Sequence, residues 1–298
     1  MKHSVRTLLL TALSMLFLLL AACNGTSSSN GSMSLGITDT PVDGAQQVVV
    51  AFTGVALMGP SGQQTFQFAS EQSINLLSLQ GNASQALLSN VMVPAGSYQW
   101  LRLDIDPAHS YVISSSGGQY PLNIPSGSQT GLKLVSGFTV AQGGLSAFTI
   151  DFNLRQSLTE NNSSGSTTYT LTPALRLIND QQVGSISGTA ISTLTIGGES
   201  ITNSVCDPAV YVYPGSTTVF NGFDVTVSGG TSPITSATLT LNSTTGLYDY
   251  TVGFLAPGTY VLAATCAGND ATTATNLTLS LPQTATVTAN STTTINFS

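Results

Sequence analysis

Along residues 145–155, LSAFTIDFNLR, apolar and polar side chains alternate: Phe148, Ile150, Phe152 and Leu154 against Thr149, Asp151, Asn153 and Arg155. A period of two predicts a strand with one face on a core and the other in water. YQWLRLDID (residues 98–106) alternates too, with Leu101, Leu103 and Ile105 on the core face. QVVVAFTGVAL, TFQFAS, INLLSL, GLKLVSGFTV and YTLTPALRLI predict further strands between residues 47 and 178. One segment breaks the series: SQALLSNV, Ser84 to Val91, reads as a short helix. After the polar joint NDQQ (Asn179 to Gln182), the strand signal resumes in VGSISGTA, AVYVYPG, TSATLTL, TYVLAATC and TTTINFS. Short strands in such succession, separated by turn residues, predict an all-β chain. The expected architecture is two β-sandwich domains in tandem, residues 34–180 and 181–298.

Both halves carry a turn of the same composition, Pro94-Ala95-Gly96-Ser97-Tyr98 and Ala256-Pro257-Gly258-Thr259-Tyr260. Pro257 presets φ for a tight reversal, and Gly258 is expected to supply positive φ. The stretch from Ser34 to Asp180 resembles a bacterial lipoprotein domain known only as a domain of unknown function. The resemblance rests on LGITDTPVDGAQQVVVAFTGVAL, INLLSLQG, VPAGSYQWLRLDI, YPLNIPSGSQTGLKLVSGFTV, FTIDFNLRQSL and YTLTPALRLI, in that order. It implies a β-sandwich in a lipoprotein setting and brings no activity or site residues. The second half is similar to the transthyretin-like, carboxypeptidase-regulatory-like sandwiches of bacterial surface proteins. An inserted polar segment, Ser216 to Ser236, departs from that pattern.

The first residues point to export. Lys2 and Arg6 precede an apolar run from Leu8 to Ala22, relieved only by Thr11 and Ser14. The run is shorter than the ~20 residues that span hydrocarbon, and it ends in small residues, as a signal peptide (residues 1–22) does. Leu20-Ala21-Ala22-Cys23 resembles the lipobox of bacterial lipoproteins, which implies acylation of Cys23 after cleavage behind Ala22; a plain signal peptide is the alternative. Multiple acyl chains hold a protein firmly at a bilayer. In that family an aspartate after the cysteine favours inner-membrane retention, so the resemblance, with Asn24 there, implies the outer membrane where the cell has one. Residues 23–33 are then the lipidated cysteine and a flexible polar tether.

Charge narrows the function classes. Beyond residue 22 only Arg102, Lys133, Arg155 and Arg176 remain against 13 carboxylates, too few cations to neutralise a nucleic-acid backbone. A hydrophobic content of 41%, spread in short alternating runs, builds cores and argues against disorder. Cys206 and Cys266 are expected to pair in an exported protein, with two buried free thiols as the alternative.

Candidate chemistry is sparse. His109, in DPAHSY, is the only histidine after cleavage, and it has neither a GxSxG serine nor a catalytic thiol to work with. No zinc-ligand set accompanies it in the sequence. Asp104 with Asp106, and Asp39 with Asp43, are acidic pairs at strand ends and turns, where Asp commonly caps backbone amides; no EF-hand spacing is present, and calcium binding, then glycosidase-like acid/base work, are the alternatives. No metal, cofactor or catalytic residue is therefore expected. Trp100, the sole tryptophan, falls by parity with Tyr98, Arg102 and Asp104, opposite Leu101 and Leu103. Trp100, Arg102 and Asp104 are the candidate ligand-stacking group, because an aromatic beside polar side chains can hold a sugar ring; burial under a loop is the competing reading. Tyr211, Tyr213, Tyr248, Tyr250 and Tyr260 read as core and strand pairing, and Asn242-Ser243-Thr244 needs no glycan. The expected function is a non-enzymatic, lipid-anchored envelope module for binding, adhesion or structure. The expected partners are the membrane, a polysaccharide or another envelope protein, and no nucleic acid. A polysaccharide-acting enzyme or its carbohydrate-binding accessory is the alternative.

Overall fold

The computed structural model describes the chain except residues 1–29, 41–43, 126–130, 164–165, 173, 224–225 and 269–276. The N-terminal part opens with β1 (Asn30–Thr40), β2 (Ala45–Gly59), β3 (Gly62–Asn75), β4 (Gln85–Pro94), β5 (Gly96–Tyr98), β6 (Trp100–Ile105) and β7 (Tyr111–Ser114). It continues with β8 (Gln119–Asn123), β9 (Leu132–Leu134), β10 (Phe138–Val140), β11 (Leu145–Asn153), β12 (Leu158–Ser163), β13 (Ser166–Leu171) and β14 (Leu175–Asn179). The C-terminal part holds β15 (Gly184–Ala190), β16 (Thr195–Ile196), β17 (Glu199–Ser200), β18 (Ala209–Pro214) and β19 (Thr235–Thr238). It ends with β20 (Thr240–Leu241), β21 (Tyr248–Leu255), β22 (Gly258–Thr265), β23 (Gln283–Val287) and β24 (Thr292–Thr294). Among the described residues the α-helix is a single turn, Leu154–Ser157. No described helix is long and apolar enough to cross a membrane. The protein is all-β.

In the N-terminal sandwich a four-stranded sheet, β14-β11-β1-β4, packs on an eight-stranded one, β12-β13-β8-β7-β2-β6-β9 with β3 on β2. The alternation read from the sequence fills the space between them. Met33, Leu35 and Ile37 of β1 and Phe148, Ile150 and Phe152 of β11 meet Val50, Phe52, Val55, Leu57, Leu101 and Leu103 in one core. Phe52 and Phe152 meet edge to face across the layers, 6.2 Å between centroids. The core phase of β2 shifts from even to odd residues because the pairing slips between Phe52 and Gly54, as a β-bulge does.

The C-terminal sandwich pairs sheet β20-β21-β15-β24 with sheet β19-β18-β22-β23. Ile186, Val210, Val212, Val252, Leu262 and Ala264 lie between them. The inserted segment Ser216 to Ser236 has a structural use. Its Phe220 and Phe223 cover Tyr211 and Tyr213 on the outer face of β18, so both tyrosines are fully buried. Their hydroxyls donate to Ala267 O and Asn221 O, each at 2.8 Å. Cys206 and Cys266 are joined in a disulfide with 4.6 Å between their Cα atoms. No sheet draws strands from both sides of the turn Asp180–Gln182.

Several expectations need correction. Regular structure starts at Asn30, four residues before Ser34, so the tether does not extend to residue 33: β1 pairs with β4 and β11 from its first residues, and Met33 is fully buried. SQALLSNV is not helical: from Gln85 on it lies in β4, antiparallel to β1. β11 is not half-exposed; Thr149 and Asp151 on its polar face are only 2% and 9% exposed. Gly258 does not take positive φ; in this hairpin Phe254 does, at 54°.

Candidate functional site

The outward face of the eight-stranded sheet is where the structure places the candidate stacking group. Pairing aligns Met58 with Trp100, Ala56 with Arg102 and Gly54 with Asp104 on one side of β2. On its other side the same three residues face Gln63, Thr65 and Gln67 of β3. The result is a strip across the sheet, with exposed amides and a hydroxyl on one flank, the charged and aromatic group on the other, and Ala56 fully buried beneath them. Trp100 is half-buried at one end. Arg102 Nε donates to Asp104 Oδ1 at 2.7 Å, which fixes both side chains over the sheet.

Lys133 of β9 pairs with Arg102 and sets its ammonium 4.5 Å from the centre of the indole. A cation over an exposed aromatic face contributes about 0.5–1 kcal/mol, weak enough for a ligand to displace it. Sequence parity put Trp100, Arg102 and Asp104 on one strand face but gave no sign of Lys133, which β9 brings beside Arg102. Parity also misplaced Tyr98. The strand breaks at Gln99, and Tyr98 turns inward, 2% exposed and stacked 4.9 Å from Phe138.

A second cluster forms where β3 meets the turn after β6. Glu71, Asp106 and His109 bring one ligand atom each within 4.8 Å of one another. His109 Nδ1 lies 2.9 Å from Glu71 Oε2 and 3.3 Å from Asp106 Oδ2. The hydrogen bond His109 donates to the Glu71 carboxylate, then the charges of Glu71 and Asp106, raise the His109 pKa above the usual imidazole value. The sequence suggested that His109 had no companions; Glu71 escaped notice because it is 38 residues away and reaches the turn only through strand pairing. Asp104 and Asp106, taken as one acidic pair, separate: Asp104 pairs with Arg102, while Asp106 caps the turn by accepting from Ala108 N at 2.9 Å. Asp39 is buried and accepts from Leu154 N at 3.3 Å. Cys23 and Asp43 lie outside the described residues.

The remaining cations sit where the sandwiches touch. Arg176 binds Asp151 at 2.8 Å. Arg155 donates to Gly268 O across the junction at 2.5 Å, with its guanidinium 4.8 Å from the Phe223 ring centre. Between the sandwiches, Thr38, Asp39, Asp151 and Arg176 face Thr235, Ser236 and Thr251 around a cavity of about 20 Å³, room for about one water. The joint is polar, and its cavity is too small for an organic ligand.

No curated protein matches the chain. Among solved structures it is similar to a leucine-rich repeat protein from Bacteroides thetaiotaomicron, at 15% identity and TM-score 0.25, over 90% of this chain and 26% of that one. The Bacillus anthracis TIE protein gives 11% identity and TM-score 0.20, over 90% and 33%. The chain thus spans about a quarter and a third of the lengths of these two. GBS52, the minor pilin of Streptococcus agalactiae, gives 11% identity and TM-score 0.21, over 89% and 94%. Residues 30–173, just under half of the chain and nearly all of the N-terminal sandwich, match the domain of unknown function DUF4382.

Proposed function

We propose that the protein is a non-enzymatic binding module of the bacterial envelope, held to the membrane by acyl chains on Cys23. In this reading the C-terminal, carboxypeptidase-regulatory-like sandwich serves as a rigid partner to the N-terminal one. The observation that carries the binding role is the outward strip of the eight-stranded sheet. It sets a half-buried tryptophan, an Arg–Asp pair and a lysine across β2 from an exposed row of Gln63, Thr65 and Gln67. An indole offers a flat apolar surface to the C–H face of a sugar ring, while amides, a guanidinium and a carboxylate meet its hydroxyls. A shallow strip accepts an extended polymer better than a small molecule, which calls for a concave pocket. The ligand class is therefore a polysaccharide of the cell surface.

Trp100 is the only tryptophan, so its emission reports on this strip alone. Titration with a panel of cell-wall and capsular polysaccharides is expected to give a saturable change in that emission, and Trp100→Ala is expected to abolish retention on the same polymer in a pull-down. Absence of saturable binding to every polymer would overturn the reading. Hydrolysis of any of them would replace it with an enzyme. The anchor has its own test: Cys23→Ser is expected to move the protein from the membrane fraction to the soluble one.

A further inference from the structure

We propose that Glu71, Asp106 and His109 form a binding site for a divalent transition-metal ion of the zinc class. The inference does not depend on the polysaccharide reading, because none of the three residues belongs to the Trp100 strip, whose Asp104 end they adjoin.

The donor set is mixed, one imidazole nitrogen and two carboxylate oxygens, supplied by two separate elements. An ion with arms of about 2.0–2.2 Å to nitrogen and oxygen holds its ligand atoms roughly 2.9–3.4 Å apart at octahedral or tetrahedral angles. His109 Nδ1 stands 2.9 Å and 3.3 Å from the two inward carboxylate oxygens, within that range; the two oxygens lie within 4.8 Å of each other, and an ion between them would draw them together. Each carboxylate also has its other oxygen occupied. Asp106 Oδ1 accepts from Ala108 N at 2.9 Å, and Glu71 Oε1 accepts from Ser73 Oγ at 3.3 Å. Such outer bonds orient metal-binding carboxylates.

The backbone beneath is tied on both sides. Asp106 N donates to Ala51 O at 2.8 Å, Ser110 Oγ to Asp106 O at 2.8 Å, and Ala51 N to Ser110 Oγ at 3.1 Å. Glu71 arrives from β3 at the point where pairing with β2 jumps from Gln72 to Gln67, which leaves residues 68–71 out of the register with β2. The cluster borders an open cleft of about 390 Å³ that Ser73, Tyr111 and Gln119 also line, leaving coordination positions for water or an outside donor. Imidazole in the set selects zinc, nickel or copper over calcium and magnesium, which prefer all-oxygen shells.

The test is calorimetric titration of the full, chelator-stripped chain in detergent with zinc chloride, and separately with calcium chloride. We expect one equivalent of zinc to bind, at least tenfold more weakly to His109→Ala and to Glu71→Gln, and unchanged to Trp100→Ala. Zinc is also expected to protect His109 from acylation by diethyl pyrocarbonate in the wild-type chain, a readout that needs no variant. No saturable zinc uptake, equal uptake by the variants, absence of protection, or calcium bound as tightly as zinc would each overturn the assignment and leave a hydrogen-bonded histidine–carboxylate cluster only.

Discussion

Asp180 follows directly on β14, and one of its carboxylate oxygens is buried with no hydrogen-bond partner. Burial raises its pKa, opposed only by a hydrogen bond from Thr149. The folded state therefore holds this proton more tightly than the unfolded chain, whose value is about 3.9. By linkage the charge costs stability at neutral pH, and the cost fades as pH falls through the raised value. Asp180→Asn is expected to be more stable than wild type at pH 7 in urea unfolding, with the gap closing as pH approaches 4. A gap that is constant with pH would show that the group is not titrating as described. The two proline–glycine turns provide a contrast at the same scale. Tyr98 Oη donates to Pro94 O at 2.8 Å and Tyr260 Oη to Ala256 O at 2.7 Å, each reaching back four residues. The first bond belongs to a buried ring, the second is exposed. Tyr98→Phe is expected to cost about 1 kcal/mol or more and Tyr260→Phe clearly less, compared by chemical unfolding. Both tyrosines stood out in the sequence through their shared turn; the hydrogen bond that gives each its role did not.

Among elements, β4 shows why period alone can mislead. Leu87 and Leu88 are both buried, 6% exposed each, and adjacent apolar residues fit a helical stripe better than a strand. The cause is irregular pairing with β1, which slips between Met33 and Leu35 and again between Leu35 and Gly36. Asn90 takes φ 51° and its amide donates to Ser34 Oγ at 3.1 Å. Asn tolerates that left-handed conformation, whereas a β-branched residue does not. Asn90→Val is therefore expected to destabilise by about 1–3 kcal/mol, while Asn90→Gly is neutral or better. Equal effects of the two would show that side-chain loss, not backbone conformation, is what matters there. β11 and β6 were legible from the sequence because apolar and polar residues alternate along both; the slip beside β6 falls on the β2 side, between Phe52 and Gly54. β1 was read four residues short because Asn30, Gly31 and Ser32 look like linker, although a Cβ on Gly31 would run into the Ala141 carbonyl.

At the scale of the whole molecule, the sequence foretold two sandwiches but not their contact, because the polar face of β11 that packs there looks like any solvated strand. Arg155 and the pair Arg176–Asp151 hold that face, and Gly253 comes so close to Gly81 that a Cβ on Gly253 would meet its carbonyl. The disulfide lies wholly within the second sandwich and closes a loop with a sequence separation of 60. In the chain-entropy account such a loop restrains the unfolded chain by about 4 kcal/mol. Reduction should thus act on one sandwich and spare the other. The sole tryptophan lies in the N-terminal sandwich, so its emission follows that unit while circular dichroism follows both. With reductant present, the dichroism transition is expected to fall by about 10 °C or more while the Trp100 transition stays within a few degrees. If both fall together, the polar joint couples the two sandwiches into one cooperative unit. Arg155→Ala should then separate the transitions again, because it removes a contact that spans the joint.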